Sequence, residues 1–208
     1  MGFLNKKNYI IAILLTMLLV EMEVFAKDTK IKYKRENISN YFLGIVSVNK
    51  DYNDKSFKYL KKVQSLKNVH SKFNIEFIRT LVFLEKFEES FSFSQKIWKE
   101  DELFFEADLL LGLDYFMKED YENSEKHFKR LNKVSRYNLF FDNFFGNILL
   151  AWNEAAKGNQ EISSVFFKKV PKQYRHIMSI QNSFLNCYCK TNKIESSFQE
   201  LVKNKNYN

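Results

Sequence analysis

One stretch of this chain repeats. Displaced by 34 residues, Leu109–Leu131 (LLLGLDYFMKEDYENSEKHFKRL) falls on positions of similar character. Leu111 lands on Phe77 and then on Leu43, Ser124 on Ser90 and then on Ser56, and Leu131 on Ile97 and then on Val63. Gly112 lands on Ile78 and then on Gly44, and Phe128 on Ser94 and then on Leu60. Three serines at one spacing, flanked by mostly apolar matches, constrain the fold more than composition does. A self-similar unit of this length is one supersecondary element that buries its apolar face only against its neighbours.

The unit reads as helix, polar turn, helix. In its first helix Leu110, Leu111, Tyr115 and Phe116 share one stripe. The glycine beside that stripe lets a second helix come close, and the serine of the second helix is the small residue it meets. The turns pair charge with an aromatic: Lys50-Asp51-Tyr52, Glu85-Lys86-Phe87 and Glu119-Asp120-Tyr121. One proline and five glycines in 208 residues suit helices joined by short polar turns better than a turn-rich β protein.

A 34-residue helix–turn–helix carrying Leu111-Gly112-x-x-Tyr115, then Ser124 and Phe128 four residues apart, resembles the tetratricopeptide repeat. The resemblance runs from Asn37 to the end. It departs from the family pattern where Ile78 replaces the glycine and where Tyr52 sits one residue early. The proline that usually closes a unit is also missing from the first three copies. The resemblance implies an all-α, right-handed solenoid, with units at 37–70, 71–104, 105–138, 139–177 and 178–208. Gly146 is taken as the fourth unit's glycine, with five extra residues around Asn153–Gln160 before Ser163. A looser likeness is to the N-terminal part of exported multi-repeat tetratricopeptide proteins of α-proteobacteria.

In such repeats the first helix of each unit lines a concave groove. That assigns Tyr41, Ile45, Arg79, Phe83, Leu113, Phe116, Met117, Asn143 and Asn147 to a partner-binding face. Gly44, Ser56, Ser90, Gly112, Ser124 and Gly146 are assigned to packing between helices. The lysine and asparagine set that clamps a peptide carboxylate in some family members is not assembled in adjacent units. The groove is expected to be mainly apolar, suited to an amphipathic helix or hydrophobic segment. The alternative is that these rings are core.

Met1–Ala26 reads as an export signal. Lys6 and Lys7 precede the uncharged run Tyr9–Val20, and Val24 and Ala26 fit the positions before a signal-peptidase cut. The alternative is an uncleaved inner-membrane anchor, for which twelve residues are short. Residues 27–36 form a basic lead-in. The net charge is +8, distributed as +7 over 27–67, −5 over 70–161 and +6 over 162–208. The basic ends could touch an anionic membrane surface, although such runs are ordinarily solvated; no nucleic-acid partner is expected.

Nothing in the sequence argues for catalysis, a metal or a cofactor. His70, His127 and His176 lack ligand spacing, and His127 is expected at a surface or boundary. Glu100-Asp101-Glu102, Glu106 and Asp108 lack the glycine and alternation of a calcium loop and read as acids at a helix start. Cys187 and Cys189, two residues apart, cannot readily bridge each other and read as packing residues. The function expected is a non-catalytic protein–protein interaction scaffold, periplasmic or secreted. The alternatives are a helical module of a longer envelope enzyme and a carrier of a hydrophobic ligand.

Overall fold

The computed structural model describes residues 34–134 and 143–203, so the signal-like segment and most of the basic lead-in lie outside the described residues. Among the described residues there are ten α-helices and no strand. They are α1 (Arg35–Val48), α2 (Asn53–Leu60), α3 (Ser71–Phe83), α4 (Phe87–Ile97) and α5 (Phe105–Met117), followed by α6 (Tyr121–Leu131), α7 (Phe144–Ala156), α8 (Gln160–Lys168), α9 (Arg175–Tyr188) and α10 (Ile194–Lys203). Short 3-10 stretches, Lys61–Asn68 and Lys172–Tyr174, follow α2 and precede α9.

Five of these helices stop in the same way. Asp51, Glu85, Glu119, Gly158 and Lys190 have φ of 56°, 56°, 61°, 85° and 51°, in the left-handed region. The residue after each donates its backbone N–H back across the turn: Tyr52 to Ser47, Lys86 to Leu81, Asp120 to Tyr115, Asn159 to Glu154 and Thr191 to Asn186. A left-handed residue after the last helical turn, closed by this bond, satisfies carbonyls that the helix end would otherwise leave open. Only Gly158 takes that conformation freely; each of the other four costs about 1 kcal/mol. Asp51, Glu85 and Glu119 recur at the interval of the sequence repeat, one in each of the first three units.

The next helix starts directly after the turn. In α6 the Asp120 carboxylate accepts the Asn123 backbone N–H at 3.2 Å. Glu122 lies in the first turn, and Lys129 and Arg130 lie in the last. This charge order matches the helix dipole.

The two helices of a pair meet through a small residue. A Cβ on Gly112 would lie 2.4 Å from Phe128 Cε1, and one on Gly44 would lie 2.5 Å from Leu60 Cδ2. The corresponding positions of α3 and α4 hold Ile78 and Ser94, both buried, with the sizes exchanged. Volume is thus kept where the glycine is lost. Ser56, Ser90, Ser124 and Ser163 are all fully buried. Ser124 Oγ donates to the Gly112 carbonyl at 2.9 Å, and Ser56 Oγ lies 3.0 Å from Thr80 Oγ1.

The fourth pair corrects the expected register. Helix α7 has 13 residues, as do α3 and α5, so it holds no insertion. The five extra residues precede it instead: twelve residues separate Leu131 from Phe144, against seven between Ile97 and Phe105. The counterpart of Gly112 is therefore Ala151, fully buried, and not Gly146. Gly146 packs elsewhere: its Cβ would fall 2.1 Å from Asn132 Oδ1, just past the end of α6.

From Ser39 on, the chain forms one compact unit in which successive helices pack on each other. Phe73, Phe77 and Phe93 form an aromatic core between α3 and α4, with ring centroids 4.9–6.2 Å apart. Phe128, Leu131 and Leu150 join α6 to α7. Ala151, Phe167, Met178 and Leu185 tie α7, α8 and α9 together.

A buried polar cluster holds the α4–α5 connection. Asp108 Oδ1 accepts from Trp98 Nε1 at 2.9 Å and Arg130 Nε at 2.8 Å, and lies 2.9 Å from His127 Nδ1. The Arg130 guanidinium also donates to the carbonyls of Lys99, Glu100 and Glu102. His127 is 5% exposed and stacked against Tyr115, so it is core rather than boundary. Its apolar neighbours tolerate it because Asp108 satisfies the ring.

Of the acids around the start of α5, Glu106 and Asp108 lie in its first turn, as expected, and are buried; Glu106 also pairs with Arg79, while Glu100 pairs with Lys126 and Glu102 with Lys99. The Lys126 hydrogen bond holds the Glu100 carboxyl below its usual range. Cys187 is exposed, not a packing residue; Cys189 is half-buried, and burial pushes its thiol up.

Candidate functional site

Helices α3, α4 and α5 enclose an apolar groove of about 880 Å³. Val82 and Phe83 of α3, Phe87 and Phe91 of α4, and Leu113 and Met117 of α5 carry its surface. A second depression of about 550 Å³ shares Leu113 and Met117 and continues past Phe116 to Leu149, Trp152 and Tyr188. The groove is open to solvent, since Phe83 is 70% and Met117 63% exposed. Large apolar side chains left this bare, side by side, are uncommon on a folded surface.

The turn geometry explains their position. Phe83 ends α3 and Met117 ends α5, each two residues before the left-handed turn residue, Glu85 or Glu119. The sharp turn carries the chain away to the next helix and leaves the last apolar side chain of the first helix uncovered.

The floor is electrically balanced. Arg79 Nη2 lies 3.3 Å from Glu106 Oε1, and its Nη1 lies 3.8 Å from Glu76 Oε1. Lys72 Nζ reaches the same Glu76 oxygen at 2.6 Å. Glu76 and Glu106 are 5% and 7% exposed, so these pairs keep two buried carboxylates compensated. Just past Met117, Lys118 Nζ donates to Asp114 Oδ2 at 2.8 Å, which raises the ammonium above its ordinary value.

Outside the groove, Lys157 bridges Glu125 of α6 and Glu154 of α7 at 2.6 and 2.7 Å. Burial works against its charge, but the hydrogen bonds and negative charges of the two carboxylates together outweigh burial and hold the ammonium above its usual value. Hydrogen bonds from Lys129 and Lys157 hold Glu125 below the ordinary carboxylate range.

Of the residues assigned to a binding face from sequence, the structure brings Arg79, Phe83, Leu113 and Met117 together in the main groove and puts Phe116 in its continuation. The others lie elsewhere. Tyr41 and Ile45 pack against the core beside α3, with the Tyr41 ring 4.8 Å from His70. Burial pushes the Tyr41 phenol up. Asn143 is the exposed residue before α7, with φ of 54°. Asn147 is buried, and its Oδ1 accepts from Asn132 Nδ2 at 3.4 Å.

The groove residues that sequence reasoning missed fall into two groups. Phe87 and Phe91 come from α4, a second helix of a pair, whereas the repeat pattern points only to first helices. Trp152 is hidden by the five-residue shift: the repeat interval of 34 counted on from Leu113 lands on Asn147, five positions short of it. The left-handed Gly158, displaced from Glu119 by the same lengthened interval, carries the signal that would have found it.

The site offers apolar contact and fixed charge. Among the described residues no group of three or more histidines, cysteines and acids could hold a metal ion, and no helix is long and apolar enough to cross a membrane. No family model matches the chain, and neither a curated protein nor a solved structure matches it.

Proposed function

We propose that this chain is a non-catalytic interaction scaffold of tetratricopeptide-like repeats, directed to the cell envelope, that holds a segment of a partner protein in the groove of α3, α4 and α5. The left-handed turns at the repeat interval and the glycine contacts to Leu60 and Phe128 support the repeat reading and its right-handed solenoid. Lys6, Lys7 and Tyr9–Val20 support export. One observation carries the binding reading: Phe83 and Met117 stand exposed, with Phe87 half-exposed beside them, over a groove lined mainly by apolar side chains. Covering such side chains fully is worth about 1.5–3 kcal/mol each, and that gain is collected only when a partner arrives.

The double variant Phe83→Ser/Met117→Ser tests this. Both side chains make few internal contacts, so folding stability should fall by less than about 1 kcal/mol, while capture of the native partner should fall at least tenfold. Unfolding of the variant would show that the two side chains are core.

A second reading is a carrier of a hydrophobic ligand. It is favoured by the groove's volume, which lies within the roughly 300–1,000 Å³ of small-ligand pockets. Native mass spectrometry of the purified chain separates the two, because a co-purifying lipid would favour the carrier.

A further inference from the structure

Arg79, the cation lining the groove, is engaged, and the charged lining residues without an ion pair are acidic. Arg79 is held by Glu76 and Glu106, and Lys118 by Asp114. Glu88, which lines the main groove, and Glu119, which lines its continuation, are exposed and within ion-pair distance of no described cation, although Glu88 still feels the charge of Lys118. Glu119 is fixed there by its left-handed turn. The surrounding stretch, residues 70–161, carries a net charge of −5 while both ends of the chain are basic.

The lining also limits the occupant's backbone. An extended segment brings one N–H and one C=O per residue, and these need partners when covered. The polar side chains lining the main groove are Arg79, Glu88 and Glu106, and the first and last are bonded to each other. No strand edge exists among the described residues to pair with an extended chain. A helix satisfies its backbone internally and presents apolar side chains three and four residues apart.

We propose that the occupant is a basic amphipathic α-helix of a partner protein, with its apolar face over Phe83, Phe87, Leu113 and Met117 and its lysines or arginines beside Glu88 and Glu119. This rests on the reading that the groove binds a partner segment. Charge at the rim then selects among apolar helices, since opposite charges attract across the rim and like charges repel.

The test uses the full chain and three fluorescent peptides, each long enough for about four helical turns. One is an amphipathic helix with leucine at i, i+3, i+4 and i+7 and lysine on its flanks. The second replaces each lysine by glutamate, and the third scrambles the first. Anisotropy titration at low salt should show the lysine peptide binding about tenfold tighter than the glutamate peptide, a difference that roughly 0.5 M salt should erode. Glu88→Lys/Glu119→Lys should reverse the order, and the scrambled peptide should not compete.

Equal binding of the lysine and glutamate peptides, lost from both in Phe83→Ser/Met117→Ser, would overturn the charge selection and leave the groove reading standing. Failure of every peptide to bind would overturn both. Sedimentation showing that a second copy of the chain occupies the groove would also overturn the proposal.

Discussion

Asp108→Ala should destabilise the fold by about 3–5 kcal/mol, the cost of leaving a buried guanidinium without its carboxylate. Asp108 is fully buried, and one of its oxygens serves Trp98, His127 and Arg130 at 2.8–2.9 Å. Removing it strands three polar groups at once. Arg130 keeps its three carbonyl acceptors, so the α4–α5 connection should stay attached while the α5–α6 contact loosens. Asp108→Asn should cost less, because an amide oxygen can replace Oδ1 and the Oδ2 position makes no hydrogen bond. Urea denaturation measures both, and an Asp108→Ala chain within about 1 kcal/mol of the parent would show that the cluster does not hold the helices together.

Gly112→Trp should cost roughly 1–3 kcal/mol or more through overpacking. Even a methyl at this position would sit 2.4 Å from Phe128 Cε1 and 3.3 Å from His127 Cβ. Phe128 is 1% exposed, so its ring cannot swing out to solvent. The expected loss in melting temperature is roughly 3–10 °C. An unchanged melt would contradict the pairing of α5 with α6 through this glycine. The Ile78 and Ser94 pair suggests a rescue: Gly112→Ile combined with Phe128→Ser should cost less than the sum of the two changes, since volume is exchanged across the same contact.

The first three helix pairs were legible in the sequence because one contact recurs at a fixed interval. Gly44 with Leu60 and Gly112 with Phe128 have the same separation along the chain, and both pairs are tight in the structure. The turns were legible because polar residues and an aromatic recur at their sites, although nothing in Asp51, Glu85 or Glu119 announces a left-handed backbone in the way a glycine does.

The fourth pair was misread for a physical reason. Gly146 mimics the expected glycine at an offset of 34, whereas the small residue at the matching place in α7 is Ala151, which is fully buried but carries no motif. That mimicry placed Asn143 and Asn147 on the binding face and hid Trp152. The Asp108 cluster was illegible for another reason: it joins Trp98 after α4, Asp108 of α5, and His127 and Arg130 of α6, and no local period relates the three elements.

The groove itself was half legible. Helix periodicity puts Phe83, Leu113, Phe116 and Met117 on apolar faces, but a face that meets a neighbour and a face left bare have the same pattern. Exposure separates them: Phe83 at 70% against Phe77 at 1% on the same helix.

Photo-crosslinking from inside the groove is the most direct measurement. A benzophenone amino acid placed singly at Phe83 and at Met117, in cells that express the chain natively, should give one discrete adduct common to both positions. The same probe at Val165 of α8, also exposed and outside the groove, should give none. No adduct at either groove position, or the same adducts at all three, would contradict a partner-binding groove.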